Sequence, residues 1–258
     1  MHGSFHGRSL ALLLLLTGIF TGFYVTGDLI GAKLFSFSVF GLGPKDLGLG
    51  DGAQFIMTAG TLAFPLTFLL TDIINEYFGR SVVRVLTIVA ITVLLVLQPV
   101  VLATVAVPTV SFTPGVTAEQ MDQSVRNVLA PAWAIVVGSI CAFALGQWLD
   151  VVLFGRLRRL TGDKALWLRA QVSTFGSQLI DSFVVIFLAF VLIPLAIGQD
   201  PWSTSGAVQV STTNYVVKVG IAIASTPLLY LVHLAVEAWL GRDEATRLKH
   251  QAHPTSAS

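Results

Sequence analysis

The chain has 258 residues, of which 54% are hydrophobic and only 11% are charged, whereas a soluble domain typically carries about 25% charged residues. This composition leaves too little polar surface for a water-soluble globule and too few charges for a disordered chain. A single cysteine, Cys141, excludes a disulfide scaffold, and a net charge of +1 gives no electrostatic footprint for nucleic acid. The composition therefore predicts an all-α, polytopic membrane protein in a lipid bilayer.

Six apolar stretches are long enough to cross a bilayer, which takes about 20 helical residues. In chain order they cover residues 10–35, 52–74, 82–107, 130–153, 174–197 and 215–239. The first stretch begins like a signal peptide, but its apolar region continues past Gly22 without a cleavage site, so we interpret it as a retained helix. The stretches predict a single six-helix transmembrane domain over residues 1–241 and a polar, disordered cytoplasmic tail over residues 242–258.

Positive charge is distributed unevenly between the two sides of these spans. If the N-terminus is cytoplasmic, the outer loops hold only Lys45 and Arg126. The inner segments hold eleven basic residues, namely Arg8, Arg80, Arg84, Arg156, Arg158, Arg159, Lys164, Arg169, Arg242, Arg247 and Lys249. Because cytoplasmic loops carry an excess of lysine and arginine, this bias predicts that both termini are cytoplasmic.

The longest outer loop lies between the third and fourth spans, over residues 108–131. Within it, Thr117–Gln120 reads T-A-E-Q, which is the pattern of a helix capping box. The pattern predicts a short surface helix from Ala118 to Leu129.

Several ionisable residues lie within the predicted spans, where a charge near the bilayer centre costs about 2.5–3.5 kcal/mol and therefore needs a partner, a cavity or a function. In the second span, Asp72, Asn75 and Glu76 are three and four positions apart and share one helix face. An ordinary ion pair of Asp72 or Glu76 with Arg80 is the structural alternative.

The fourth and fifth spans repeat one polar pattern. Gln147 and Asp150 form Q-x-x-D on the fourth span, and Gln178 and Asp181 form the same pattern on the fifth. Asp150 has a structural alternative, because Arg156 and Arg158 follow it closely. Asp181 has no basic residue within a helical turn, so it is the strongest functional candidate.

In the last span, Lys218 is the one basic residue of interest. It either contributes to a polar site or extends to the outer interface, as long basic side chains do near helix ends.

Carboxylates and amides in a membrane cavity suit a small polar solute or a proton. A carboxylate accepts two parallel N–H bonds from an edge such as that of a guanine-type base, and amide side chains complete such a lining. The same groups suit a thiamine-like cation or a proton relay. The sequence holds no H-E-x-x-H, G-x-S-x-G or Walker-type motif, so we expect no catalytic residues, no metal and no cofactor.

Four motifs carry a resemblance to a known family. They are TDIINEYFGR at Thr71–Arg80, ALGQWLDVVLFGRLRR at Ala144–Arg159, LWLRAQVSTFGSQLID at Leu166–Asp181 and NYVVKV at Asn214–Val219. Together they resemble the queuosine precursor transporter family, and the resemblance covers roughly residues 10–240. It implies a six-helix inner-membrane importer of 7-cyano-7-deazaguanine and related precursors.

The resemblance also implies the residues that bind the substrate. The residues that match the family's motifs are Asp72, Asn75, Glu76, Gln147, Asp150, Gln178, Asp181 and Lys218. The energy source, an ATPase partner and a homo-oligomer stay open. Two other classes remain: a vitamin-binding subunit of an energy-coupling-factor-type importer, and an intramembrane enzyme that uses Asp72 and Asp181 as acid and base.

Overall fold

A computed structural model describes residues 7–38, 54–161 and 166–252 of the chain. Helices dominate this part, and the only sheet within it is a two-stranded antiparallel one. The helices are α1 (Arg8–Ile30), α2 (Phe64–Phe78), α3 (Arg80–Ala106), α4 (Ala118–Leu129), α5 (Ala132–Thr161), α6 (Leu166–Phe187), α7 (Ile193–Ala196), α8 (Thr204–Ala224), α9 (Thr226–Leu240) and α10 (Arg242–Ala252). The strands are β1 (Leu34–Phe37) and β2 (Phe55–Thr58).

The long helices are apolar enough to cross a membrane. Four helical runs pass this test in the described residues: Arg8–Ile30, Arg80–Ala106, Ala118–Gly146 and Phe175–Ala196. A fifth span is added if α8 and α9, which are bent by 51° at their junction, count as one. Large apolar side chains such as Val96 and Leu234 are exposed, as a lipid-facing surface requires. The all-α, polytopic membrane fold is confirmed, whereas the described residues contain at most five such spans rather than six.

The second predicted span, residues 52–74, is not one continuous helix. Phe55–Thr58 forms strand β2, which pairs with β1, and the 3₁₀ turn Ala59–Ala63 follows it. Helix α2 begins only at Phe64, beside Pro65, and has 15 residues. Proline fits the first turn of a helix, where its missing N–H is not needed, so it marks a new start here. The partner strand β1 likewise ends the first span at Ile30 rather than at residue 35.

The last predicted span, residues 215–239, begins earlier and is broken. Helix α8 starts at Thr204, and the helical path is interrupted at Ser225, two residues before Pro227. Proline has no N–H to continue the helical hydrogen bonds, and its ring restricts the residue before it. The break is therefore fixed locally by Pro227.

The described residues form two compact units. Unit 1 contains residues 7–27, 62–97 and 220–252, and unit 2 contains residues 28–38, 54–61, 98–161 and 166–219. The single transmembrane domain expected over residues 1–241 stays a prediction.

Unit 1 is built around α2. Its inward face, with Ile73, Ile74 and Tyr77, is fully buried in a cluster that also contains Leu16 of α1. The cluster extends to α10, whose Leu248 is fully buried as well. Where a disordered tail was expected, residues 242–252 therefore form a helix that packs on unit 1. Acidic residues in the first turn of α10 and basic ones in its last turn favour the helix, because they complement its dipole.

Unit 2 is organised by the packing of α5 against α6. A Cβ placed on Gly138 would lie 3.1 Å from the backbone of Val185, so the two helices meet at van der Waals distance only because residue 138 has no side chain. After α6, a π-helical turn, Leu188–Leu192, leads into α7. The Phe190 ring in this turn stacks on Trp202 with 4.1 Å between centroids, which holds the start of α8 in place.

The predicted surface helix is confirmed. Helix α4 covers Ala118–Leu129, and the side chains of Thr117 and Gln120 form the reciprocal hydrogen bonds of a capping box. Each satisfies a backbone N–H that the first helical turn leaves without an intrahelical partner.

Candidate functional site

Helices α6 and α8 bring two of the predicted site residues into contact. The ammonium group of Lys218 on α8 donates a hydrogen bond to Asp181 Oδ2 on α6, at 2.5 Å. The Lys218 side chain is 12% exposed and the Asp181 side chain 40% exposed, so the lysine is the more enclosed partner. Asp181 therefore has a cation after all, supplied by a helix far along the chain.

The position of Lys218 follows from the true start of α8. Because this helix begins at Thr204, Lys218 lies about 21 Å along its axis, at 1.5 Å per residue, rather than near its first turn. Its ammonium group points to Asp181.

A third ionisable residue, Asp28 of α1, belongs to the same group. Ser139 of α5 donates a hydrogen bond to Asp28 Oδ1 at 3.2 Å, and Asp28 lies within electrostatic range of both Asp181 and Lys218. Asp28 is not among the site residues predicted from the sequence. The signal was present, because Asp28 is an ionisable residue inside the first predicted span.

Several buried polar atoms around this ion pair have no hydrogen-bond partner in the described part of the chain. Gln178 Oε1 and Ser182 Oγ are two of them, and these residues flank Asp181 on one face of α6. Ser211 Oγ, two turns before Lys218 on α8, and Asp28 Oδ2 are two more, and unit 2 also contains Gln98 of α3, whose amide oxygen and nitrogen are both buried without a partner. A buried polar atom left unpaired costs about 1–3 kcal/mol, so such a concentration is typical of a binding site.

We use the term Asp181 cluster for the ion pair, the unpartnered polar residues at helical spacing from it on α6 and α8, and the Asp28–Ser139 pair, namely Asp28, Ser139, Gln178, Asp181, Ser182, Ser211 and Lys218. The cluster combines one cation, two carboxyl groups and several neutral acceptors. It can therefore bind a solute that presents a carbonyl oxygen next to N–H donors.

Asn214 anchors the helix that carries Lys218. Its Oδ1 accepts hydrogen bonds from the Thr58 backbone N–H and the Thr61 hydroxyl, each at 3.3 Å, and its Nδ2 donates to Thr58 Oγ1 at 3.4 Å. Asn214 is buried, 4% exposed, and both ends of its amide are used. Its role is therefore to join α8 to the β2 segment, one turn from Lys218.

The predicted residues of the second span belong to the other unit. Asp72, Asn75 and Glu76 are on α2 and belong to unit 1, whereas the Asp181 cluster belongs to unit 2. Asn75 Oδ1 is buried and has no hydrogen-bond partner among the described residues. A binding role for these three residues stays a prediction.

Glu76 and Glu237 share a cation that sequence reasoning did not consider. Lys249 of α10 hydrogen-bonds Glu237 at 3.0 Å and lies 4.0 Å from Glu76. Its ammonium group is also 4.9 Å from the ring centroid of Tyr77, whose hydroxyl is 3.0 Å from His233 Nδ1. Burial lowers the pKa of Lys249, but the hydrogen bond to Glu237 and the nearby negative charges raise it more, so the net shift is upward.

Gln147 and Asp150 complete the predicted set. Both lie on α5, but their side chains are outside the described part of the structure. Their binding role, and the alternative pairing of Asp150 with Arg156 or Arg158, stay predictions.

Comparison with known proteins identifies similar sequences but no similar structure. Residues 58–232 match the model of a family described as "Putative vitamin uptake transporter". No solved structure matches the chain significantly.

Three curated relatives are similar over about two thirds of the chain. "Probable queuosine precursor transporter" of Haemophilus influenzae is 31% identical over 178 residues, which are 69% of this chain and 68% of the relative. The protein of the same name from Bacillus subtilis is 28% identical over 174 residues, which are 67% and 70% of the two chains. "Queuosine precursor transporter" of Escherichia coli is 27% identical over 169 residues, which are 66% and 69%.

Proposed function

Since the chain belongs to the queuosine precursor transporter family, a family of membrane transporters, we propose that it imports a queuosine precursor for the salvage of tRNA queuosine. The proposed substrate is 7-cyano-7-deazaguanine or a related 7-deazaguanine. We further propose that the protein lies in the cell's inner membrane with both termini cytoplasmic, as the distribution of basic residues predicts.

The observation that carries this proposal is the Asp181–Lys218 pair on two apolar helices. A 7-deazaguanine presents a carbonyl oxygen, a ring N–H and an exocyclic NH₂ group along one edge. The Lys218 ammonium group suits the carbonyl oxygen, and the Asp181 carboxylate suits the two N–H donors. Asp181 is 40% exposed, which leaves its carboxylate room to accept further hydrogen bonds.

The unpartnered acceptors support the same substrate class. Gln178 Oε1 and Ser182 Oγ lie one helical turn apart, on either side of Asp181 in the sequence. A further N–H donor of the base would satisfy Gln178 Oε1, and the Ser182 hydroxyl can accept such a bond or donate one to a ring nitrogen. Asp72, Asn75, Glu76, Gln147 and Asp150 remain proposed binding residues on the family resemblance alone.

The description of the matched family favours one second candidate, which is uptake of a vitamin. For this candidate we retain the form considered from the sequence, a binding subunit that works with a separate ATPase. The two candidates differ in what the purified chain can do alone. Transport by the chain in liposomes without ATP supports the first candidate, and strict dependence on a copurifying ATPase supports the second. Neither candidate decides whether the chain forms a homo-oligomer.

The test is salvage in cells. The gene is expressed in bacteria that lack both queuosine synthesis and their own importer, each precursor is supplied at low concentration, and queuosine in tRNA is measured. We expect 7-cyano-7-deazaguanine or a close relative to restore queuosine. Queuosine that stays absent with every precursor, although the protein is present in the membrane, would contradict the proposed function.

A further inference from the structure

We propose that Asp28 is a proton-binding site that couples import to the inward movement of one proton. This inference rests on the transport function proposed above and adds an energy source to it. Asp28 lies before the region that matches the family model, residues 58–232, so that match does not assign it any role.

The charges of the Asp181 cluster do not balance. Among the described residues, two carboxyl groups, Asp28 and Asp181, lie within electrostatic range of a single ammonium group, that of Lys218. If all three are charged, the cluster carries one excess negative charge within apolar helices, where an unbalanced charge is costly. Binding one proton makes the cluster neutral.

The hydrogen bonds of the two carboxyl groups indicate which of them accepts that proton. Asp181 Oδ2 already accepts a hydrogen bond from the Lys218 ammonium group at 2.5 Å, and a proton on this oxygen would displace that bond. Asp28 has only a neutral donor, Ser139, on its Oδ1, while its Oδ2 is buried without a hydrogen-bond partner among the described residues. The proton therefore belongs on Asp28 Oδ2.

Asp28 lies near one end of its helix. It is two residues before the end of α1 at Ile30, and the proposed topology puts this end on the outer side. In the proposed cycle the proton therefore enters from the outer side.

In the proposed mechanism, proton binding at Asp28 is coupled to substrate binding at Asp181 and Lys218. With Asp28 protonated, Lys218 stays with Asp181 and the pair is ready for the substrate. When Asp28 releases its proton to the cytoplasm, its carboxylate competes with Asp181 for the Lys218 ammonium group, and the substrate site is weakened. Substrate and proton thus favour each other's binding, as thermodynamic linkage requires.

The decisive experiment uses the purified full chain in proteoliposomes without ATP, with the membrane voltage clamped and the interior one pH unit more alkaline. Uptake of labelled 7-cyano-7-deazaguanine is followed over time. One proton crossing one pH unit releases about 1.4 kcal/mol, so we expect up to about tenfold accumulation, which a protonophore abolishes. Uptake that ignores the pH gradient, or that requires a sodium gradient, would overturn the proposal.

The matched variants are Asp28→Asn and Glu119→Gln. The amide of an asparagine imitates the protonated carboxyl group, so Asp28→Asn should still exchange labelled for unlabelled precursor but should not accumulate it. Glu119 is an exposed carboxylate on α4, and its neutralisation should leave accumulation at the wild-type level. Gradient-driven accumulation by Asp28→Asn would contradict the role of Asp28.

A measurement on the wild type keeps the proposal testable if Asp28→Asn fails to fold. In weakly buffered detergent solution, addition of the precursor should cause net proton uptake by the protein, and a pH-sensitive dye reports it. Binding without any proton uptake between pH 5 and pH 8 would refute the coupling. If the wild type neither binds nor transports any precursor, the proposed function fails instead, so the two failures are distinguishable.

Discussion

The Asp181 carboxylate has two roles. It neutralises Lys218, which is almost enclosed, and it keeps a partly exposed carboxylate for a solute. A hydrogen bond to a charged group contributes about 1.5–3 kcal/mol, and a neutral one contributes about 1 kcal/mol. The charged residue of the Q-x-x-D pair should therefore matter more for affinity than the neutral one.

For Asp181→Asn we expect an apparent affinity for the precursor that is about ten- to a hundredfold weaker, since each 1.4 kcal/mol changes affinity tenfold. Asparagine keeps the shape but turns one acceptor into a donor, which faces the NH₂ group of the base. Gln178→Leu should weaken the affinity by less than tenfold. Uptake as a function of concentration, normalised to inserted protein, measures both effects, and wild-type kinetics in Asp181→Asn would remove this residue from the site.

For the ion pair, the sequence identifies the two residues but not their contact with each other. Asp181 and Lys218 were identifiable because a charge inside an apolar span is rare, but nothing local to α6 showed that the two pair with each other. Asp28 is also a charged residue inside an apolar span, so the same criterion would have identified it. Ser139 carries no such signal, because a serine within a helix is common and only its contact with Asp28 gives it a role.

At the scale of single elements, the close approach of α5 and α6 is set by glycines on one helix face. Gly138, Ala142 and Gly146 follow each other at intervals of four on α5. Small residues at this spacing let two helix backbones approach within a membrane. The glycines are not equivalent, because a side chain at Gly138 meets backbone, whereas one at Gly146 meets only Ser177 Cβ at an ordinary 3.7 Å.

We therefore expect Gly138→Ala to destabilise the protein and Gly146→Ala to leave its stability unchanged or higher. The added methyl group at 138 must displace the backbone of Val185, and overpacking of this kind costs about 1–3 kcal/mol. The better helix propensity of alanine, about 1 kcal/mol, offsets only part of that cost. Thermal unfolding of the two variants in detergent checks the order, and equal unfolding temperatures would contradict the close contact.

Helix α10 packs on unit 1 through Leu248 and Ala245. Leu248 is fully buried in the core of unit 1, so Leu248→Ala should cost about 2–5 kcal/mol if α10 and the rest of unit 1 unfold together. Thr246→Ala, on the exposed side of the same helix, should change stability by less than about 0.5 kcal/mol. Limited proteolysis after residue 240, compared between the two variants, reports the docking of α10. Similar cleavage rates would indicate that the helix does not depend on Leu248.

Elements that are specified by a short sequence motif were predictable, whereas elements that depend on contacts with distant parts of the chain were not. The capping box at Thr117 and Gln120 lies within four residues, and it fixed the start of α4 correctly. Strand β2 depends on pairing with β1, earlier in the chain, so an apolar run that includes Phe55–Thr58 was taken for helix. The helix in the tail depends on burying Leu248 against α2, a contact that no local pattern shows.

For the molecule as a whole, the unequal distribution of basic residues gives a topology that can be tested. An alkaline phosphatase fused after Ala252 should be inactive, because the C-terminus is proposed to be cytoplasmic. The same enzyme fused after Phe112 should be active, because this residue, 94% exposed, lies in the proposed outer segment between α3 and α4. Activity of the first fusion in the periplasm would overturn the topology.

The docking of α10 on α2 has a consequence for biogenesis. Helix α2 is synthesised early, and its partner α10 leaves the ribosome only after α3 to α9 have been made. Until then the core of unit 1 lacks Leu248, and Glu76 and Glu237 lack the Lys249 ammonium group. A product of interrupted translation would therefore expose an incomplete surface on unit 1, by which membrane proteases can distinguish it from the finished chain.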